Sequence, residues 1–350
     1  MNFVFGEKIS WHDHNSFINQ LRKEYFVKHF SYFMFTVAAL LMTCCKSSDS
    51  ITDPIPSGYV VGKNRFTTPV DGDTREYYVH VPTRYNANTP TPVVFMLHGT
   101  TDQGERFYNN SGWKEVGETE NILTVYPSSW QYCMIEDGVQ ITTTKWNVQP
   151  AEWKPCVGQT LRNDVKFLNT IISELKAKFN VDAKRIYVVG FSNGGQMAAK
   201  CSIEMSDKFA AAVESAGSLY PDTTWVPLRK MPITYQVGNE DYGTGNTGPS
   251  IPLSMLGSLL STTGLPSPFS RFHRIARVHV NSFELDPNFT ISGDTNTVAI
   301  AMFSPLTPNP SNSFRVALIK GLAHNYPNGT NHWLEGAKVN WAWMKNYTLP

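Results

Sequence analysis

The chain has 350 residues, 41% hydrophobic, 13% aromatic and 17% charged, with a formal net charge of +1. That length and apolar content supply a sizeable core in one large domain or two modest ones. No basic run is interleaved with aromatics, so nothing recommends a nucleic-acid partner.

In chain order, residues 1–44 read as a targeting segment. Arg22, Lys23 and Lys28 form a basic region, Phe30 to Met42 is apolar, and Cys44-Cys45 ends the run. A run of about thirteen residues is short for a bilayer span and suits a signal-peptide core. A cysteine at its end resembles a bacterial lipoprotein signal, with Cys45 as the lipidation candidate and Cys44 as the other. An ordinary secretory signal cut nearby is the alternative. The stretch before Arg22 is unusual for a signal, and a translation start at Val27 gives one of normal length. Residues 45–57 are rich in Ser, Asp and Pro, a composition that suits a solvated tether. The expectation is an exported chain, anchored to a membrane by lipid and facing the periplasm or cell exterior.

Residues 58–350 read as one catalytic domain. Arg75 to Val81 alternates apolar and polar residues, as a strand does. Pro92 to Leu97 is a continuous apolar run, the pattern of a strand buried on both faces. Asn121 to Tyr126 is a further strand. Asp164 to Phe179 carries Val165, Phe167, Leu168, Ile171, Ile172 and Leu175 at helical spacing. Ile186 to Val189, Phe209 to Val213, Pro232 to Val237, Thr297 to Phe303 and Phe314 to Ile319 are strand candidates, and Trp333 to Tyr347 is a closing helix. Alternating β and α units imply an α/β fold with a mostly parallel central sheet and helices on both faces. Residues 244–294 are the least regular, with a helix near Leu253 to Leu260, and read as an insertion overhanging the site. Of Cys133, Cys156 and Cys201, two can pair in an oxidising compartment, and Cys133–Cys156 and Cys156–Cys201 are both open. No CxxC or HExxH occurs, so a metal site has little support and no cofactor is expected.

Gly190-Phe191-Ser192-Asn193-Gly194-Gly195 stands between the strand ending at Val189 and a helix-like segment from Gln196. Strand, Gly-x-Ser-x-Gly and helix in that order make a nucleophile elbow. A serine on so sharp a turn has a strained backbone, and Gly190 and Gly194 relieve the crowding. The alternative is a tight βα turn with no chemistry. A nucleophilic serine needs a base, an orienting acid and oxyanion donors. In the α/β-hydrolase order of Ser, acid, His, the strand Pro232 to Val237 leads to Asp241, with Glu240 as its possible replacement. The strand Phe314 to Ile319 leads to His324, with His332 as runner-up. The backbone N–H groups of Asn193 and Thr100 are the oxyanion donors, and Gly99 permits close approach. His98 reads as structural, His80 lies in the early strand, and His273 and His279 read as surface or packing residues.

These residues, with Trp146-Asn147 and Asn163-Asp164-Val165, fall in the order of the polyhydroxybutyrate depolymerase-like esterases, and the chain resembles that family from Gly58 onward. The group also holds feruloyl and acetyl-xylan esterases. The resemblance implies an α/β-hydrolase fold, carboxylic ester hydrolysis through Ser192, Asp241 and His324, and no cofactor. Two departures stand out. The stretch between Asp241 and His324 is long, and the tryptophan often found two residues after the histidine is Tyr326.

The expected function is an exported serine carboxylesterase acting on small esters or polysaccharide-linked acyl or feruloyl esters, or on polyester fragments. Trp130, Trp146 and Trp153 can stack on sugar or phenolic rings, or equally be core. A serine peptidase of the same fold is one alternative, although no acid pair for an N-terminal amine is identifiable. A non-catalytic glycan-binding protein on a hydrolase scaffold is another.

Overall fold

The computed structural model describes residues 58–148, 153–219 and 225–350. The targeting segment, the Val27 start, Cys44, Cys45 and the tether all lie outside the described residues. The strands are β1 (Gly62–Val70), β2 (Asp73–Val81), β3 (Thr91–Leu97), β4 (Leu123–Pro127), β5 (Trp130–Glu136), β6 (Val139–Lys145), β7 (Val181–Phe191), β8 (Ala212–Ser215), β9 (Pro232–Gly238), β10 (Leu285–Asp294), β11 (Val298–Pro305) and β12 (Ser313–Ile319). The helices are α1 (Gly104–Asn110), α2 (Trp113–Glu120), α3 (Asp164–Lys178), α4 (Asn193–Glu204), α5 (Leu256–Ser261), α6 (Ser270–Phe283) and α7 (Gly336–Met344).

One sheet runs β1-β2-β4-β3-β7-β8-β9-β12-β11-β10, and β5 and β6 form a separate hairpin. The pairs from β4 through β12 are parallel, while both flanks are antiparallel. Every residue of β3 and β9 is buried, as a parallel strand covered on both faces requires. Side-chain alternation divides the core. Val93, Phe95 and Leu97 pack with the apolar faces of α3, α4 and α6. Val94 and Met96 pack with α1, α2 and α7 on the other side. This is the α/β-hydrolase architecture.

Two expectations need correction. The strand placed at Phe209 to Val213 runs instead over Ala212–Ser215, and Phe209 to Ala211 approach it as buried chain. The insertion at 244–294 is more regular than expected, since it holds α5, a fourteen-residue α6 and the edge strand β10. Four basic residues, Arg271, His273, Arg274 and Arg277, hid the spacing of Phe272, Ile275, Ala276, His279 and Phe283, which are buried. Of the two readings open for Trp146, burial decides for core.

The hairpin β5–β6 is pinned to the chain that follows it. Cys133 and Cys156 form a disulfide, and Ile135 N–H donates to the Lys154 carbonyl at 2.8 Å. Cys201 is free and buried within α4, so the Cys156–Cys201 pairing is not formed. A buried ion pair holds the floor beneath this hairpin. Arg75 donates to Asp164 at 2.7 Å and its guanidinium lies 4.0 Å above the Phe167 ring. The second Asp164 oxygen accepts the Asn147 amide at 2.7 Å. The helix α3 starts beside that pair, with the Asn163 side chain capping the Lys166 amide at 2.9 Å.

Candidate active site

The strand β7 ends at Phe191 and α4 begins at Asn193, so Ser192 takes the whole turn with φ 54° and ψ −120°. A non-glycine residue there is strained, and surrounding bonds must hold it. Its N–H donates to the Ser215 carbonyl at 2.8 Å, and its own carbonyl accepts from Gln196 at 3.0 Å. A Cβ on Gly190 would lie 1.9 Å from the Gly194 carbonyl oxygen, and one on Gly194 would lie 2.3 Å from that of Leu97. Strand, turn and helix therefore meet at backbone contact, which only glycine permits. Gly99 is close-fitting for a milder reason, since a Cβ there would meet Phe191 at 3.2 Å and the Ser192 Cβ at 3.3 Å.

The loops after β9 and β12 converge on this turn. His324 Nε2 lies 2.9 Å from Ser192 Oγ, and its Nδ1 lies 3.0 and 3.1 Å from the two Asp241 oxygens. A carboxylate only accepts, so Nδ1 carries the proton and Nε2 is left to accept from the serine hydroxyl. Asp241 is fully buried and also accepts the Gly243 amide at 2.9 Å. Burial pushes its carboxyl up, but the hydrogen bond and charge of His324, with Arg271 and the Gly243 amide, outweigh that and hold it below its usual value. Glu240 is turned away and accepts from Ser250 at 2.6 Å. His332 is partly buried and donates to the Lys320 carbonyl at 2.9 Å, so neither alternative joins the group.

Asn239 couples the two loops. Its side-chain oxygen accepts the Gly321 amide at 2.7 Å, and its amide group donates to the Ile251 carbonyl at 2.9 Å. The sequence signal was present in Asn239-Glu240-Asp241, but nothing in it assigned Asn239 this bridging part. Arg271, on α6, donates to the Asp241 carbonyl oxygen. No sequence pattern linked it to the site.

Thr100 and Asn193 line a cleft of about 330 Å³ together with Ser192, Lys145, Trp153 and Arg271. The Asn193 amide opens α4, where helix N–H groups lack intrahelical acceptors. Its side chain is engaged, accepting the Trp146 amide at 2.6 Å. Trp146 in turn donates its indole N–H to the His98 carbonyl at 2.8 Å. These bonds fix the loop after β3 against the start of α4. Trp153 does line the cleft, while Trp130 lies beneath the guanidinium groups of Arg75 and Arg162.

His98 itself is fully buried and neutral. Its Nδ1–H donates to the Gly99 carbonyl at 2.7 Å, and Nε2 accepts the Ser129 amide at 2.9 Å. Burial pushes its pKa down to about 4. Between that value and the ordinary 6.5 the unfolded chain binds a proton that the folded chain does not. Stability therefore rises with pH across this window, and acidification through it costs up to about 3 kcal/mol from this residue. Urea unfolding of wild type and His98→Gln at about pH 5 and about pH 7 checks the expectation. Glutamine keeps a donor and an acceptor but does not titrate, so the wild type should show the steeper loss on acidification. Equal losses in both proteins would refute the assignment.

The Esterase family model matches residues 70–272, more than half of the chain. The chain belongs to the Esterase family. Among its relatives, the bifunctional acetylxylan esterase/xylanase XynS20E of Neocallimastix patriciarum is 25% identical over 146 residues, covering 42% of this chain and 18% of the relative. Poly(3-hydroxyalkanoate) depolymerase C of Paucimonas lemoignei is 29% identical over 149 residues, covering 43% and 33%. Feruloyl esterase B of Piromyces equi is 26% identical over 171 residues, covering 48% and 29%. This esterase-family chain thus matches a third or less of the length of each of these three relatives. The family resemblance drawn from the motifs is the one these matches bear out. Within this esterase-family chain, Tyr326 is buried and accepts from the Trp113 indole at 2.9 Å and from Asn340 at 3.2 Å. It thereby anchors the loop that carries His324 to α2 and α7.

Proposed function

We propose that the protein is a serine carboxylic ester hydrolase in which Ser192 is the nucleophile, His324 the base and Asp241 the orienting acid. The observation that carries this reading is the hydrogen-bonded chain from Ser192 Oγ through His324 to the buried Asp241, set on a strained strand-to-helix turn. His324 Nε2 takes the hydroxyl proton as Oγ bonds to the ester carbonyl carbon. The developing oxyanion is held by the N–H groups of Asn193 and Thr100, each contributing about 10²–10³ in kcat. His324 then protonates the departing alcohol oxygen, leaving an acyl-serine. A water gives its proton to the same nitrogen, attacks the acyl carbon, and the acid departs as Ser192 regains its proton. Asp241 keeps the ring in the tautomer both steps need.

Acyl or feruloyl esters on polysaccharide, or polyester fragments, are the proposed substrates, in line with the printed activities of the relatives. Trp153 at the cleft supports a ring-bearing group. Export, with lipid attached at Cys45 or Cys44, is proposed from the sequence of residues 1–57, and the Cys133–Cys156 disulfide suits an oxidising compartment.

Hydrolysis of p-nitrophenyl acetate, p-nitrophenyl butyrate and methyl ferulate tests the reading, with an N-terminally free peptide anilide as contrast. Ester turnover with no anilide cleavage is the expected result. Anilide cleavage favours the peptidase alternative. Retention on xylan without any turnover favours the glycan-binding one.

A further inference from the structure

We propose that the cleft beside Ser192 selects esters carrying a carboxylate, gripped by Lys145 and Arg271; this rests on the ester-hydrolase reading of the same site. Among the described residues lining the cleft there are two cations, Lys145 from the end of β6 and Arg271 from α6, and no aspartate or glutamate. A neutral acyl or sugar ester gains nothing from two cations placed beside the reacting serine, whereas an anion does.

Each cation keeps donors in hand. Among the described residues the Lys145 ammonium donates once, to Glu136 at 3.0 Å, and it lies 5.1 Å from the centre of the Trp153 ring. An ammonium has three N–H groups, and Glu136 is about half exposed, with 49% of its side chain open to solvent. The pair is therefore a partly screened one that leaves room for a second acceptor. Arg271 donates to the Asp241 backbone carbonyl. Its closest approach to the Asp241 carboxylate is 3.7 Å, because that carboxylate is already taken by His324 and the Gly243 amide. The charge of Arg271 is thus not discharged through a two-point pair. Its Nε is buried with no hydrogen-bond partner among the described residues. A planar guanidinium held by one edge is a ready partner for a carboxylate.

The bound carboxylate can belong to the acid or to the alcohol part of the ester, since both halves flank Ser192 during the reaction. Two matched pairs separate these cases. Methyl butyrate against methyl hydrogen succinate places the charge on the acyl side. Propyl acetate against acetoxyacetate places it on the alcohol side. The experiment measures kcat/KM for all four, in wild type and in Lys145→Gln, from about 0.01 M to about 1 M salt, over which the Debye length shrinks from about 30 Å to about 3 Å.

The expected result is that the charged ester of at least one pair is preferred about tenfold or more at low salt. That ratio should shrink as salt rises and collapse in Lys145→Gln. The salt series needs only the wild type, so it holds whether or not the variant folds. Turnover of the neutral esters with no preference for the charged partner in either pair overturns the inference and leaves the hydrolase reading standing. A preference unmoved by both salt and Lys145→Gln overturns it as well. No turnover of any of the four overturns both.

Discussion

Replacing Ser192 with alanine should lower kcat by about 10⁶ on any ester the protein hydrolyses. The substitution removes only Oγ. Alanine keeps the Cβ, so the backbone strain at φ 54° is neither released nor increased. The bonds from the Ser192 amide to Ser215 and from Gln196 to the Ser192 carbonyl are backbone bonds and survive. Folding stability should therefore shift by less than about 0.5 kcal/mol. If Ser192 and His324 act as the proposed unit, His324→Ala costs nearly as much, and the double variant little more than either. Steady-state kinetics on methyl ferulate and p-nitrophenyl acetate, with thermal melts as a folding control, measure this. A folded Ser192→Ala protein that keeps even a hundredth of the rate would place the nucleophile elsewhere.

Asp241→Asn should lower kcat by about 10⁴. An asparagine can turn its amide N–H toward His324 Nδ1, which then becomes the acceptor. The ring proton moves to Nε2, and the nitrogen 2.9 Å from Ser192 Oγ can no longer take a proton from it. The wild-type carboxyl is held below its usual value, so Asp241 stays ionised throughout the neutral range. Protonation of Asp241 should accordingly add no pH dependence of its own to the deficit there. Rate measurements on both proteins between about pH 6 and about pH 8 decide the matter. A variant within tenfold of wild type would mean that Glu240 or another acid orients His324.

The sequence disclosed those parts whose chemistry forces an unusual local pattern. An exposed serine between a buried strand and a helix demands glycine on both sides, and Gly190 and Gly194 carried that demand openly. Asp241 and His324 were readable because each follows an apolar run that ends a central strand. The hairpins were legible but passed over: Asp71-Gly72 and Asp137-Gly138 both take positive φ at both positions, and Asp-Gly between strands is a strong turn signal. What hid β1 and β6 was their surface position, since half-exposed strands lack a continuous apolar run. Arg271 and Lys145 were invisible for a different reason. Their place at the cleft depends on how α6 and the β5–β6 hairpin pack against the sheet, and nothing in the local sequence encodes that distance.

Strand order also differs from chain order at one place that bears on synthesis. The strand β9 pairs on its outer side with β12, yet β10 and β11 are made in between. Roughly 75 residues separate the end of β9 from the start of β12, about 4 to 15 s of translation. Throughout that interval β9, whose seven residues are all buried in the finished sheet, has an open edge on a growing chain. An unpaired apolar edge is a template for association with other chains. The growing chain therefore exposes an adhesive edge before β12, and His324 after it, have been made.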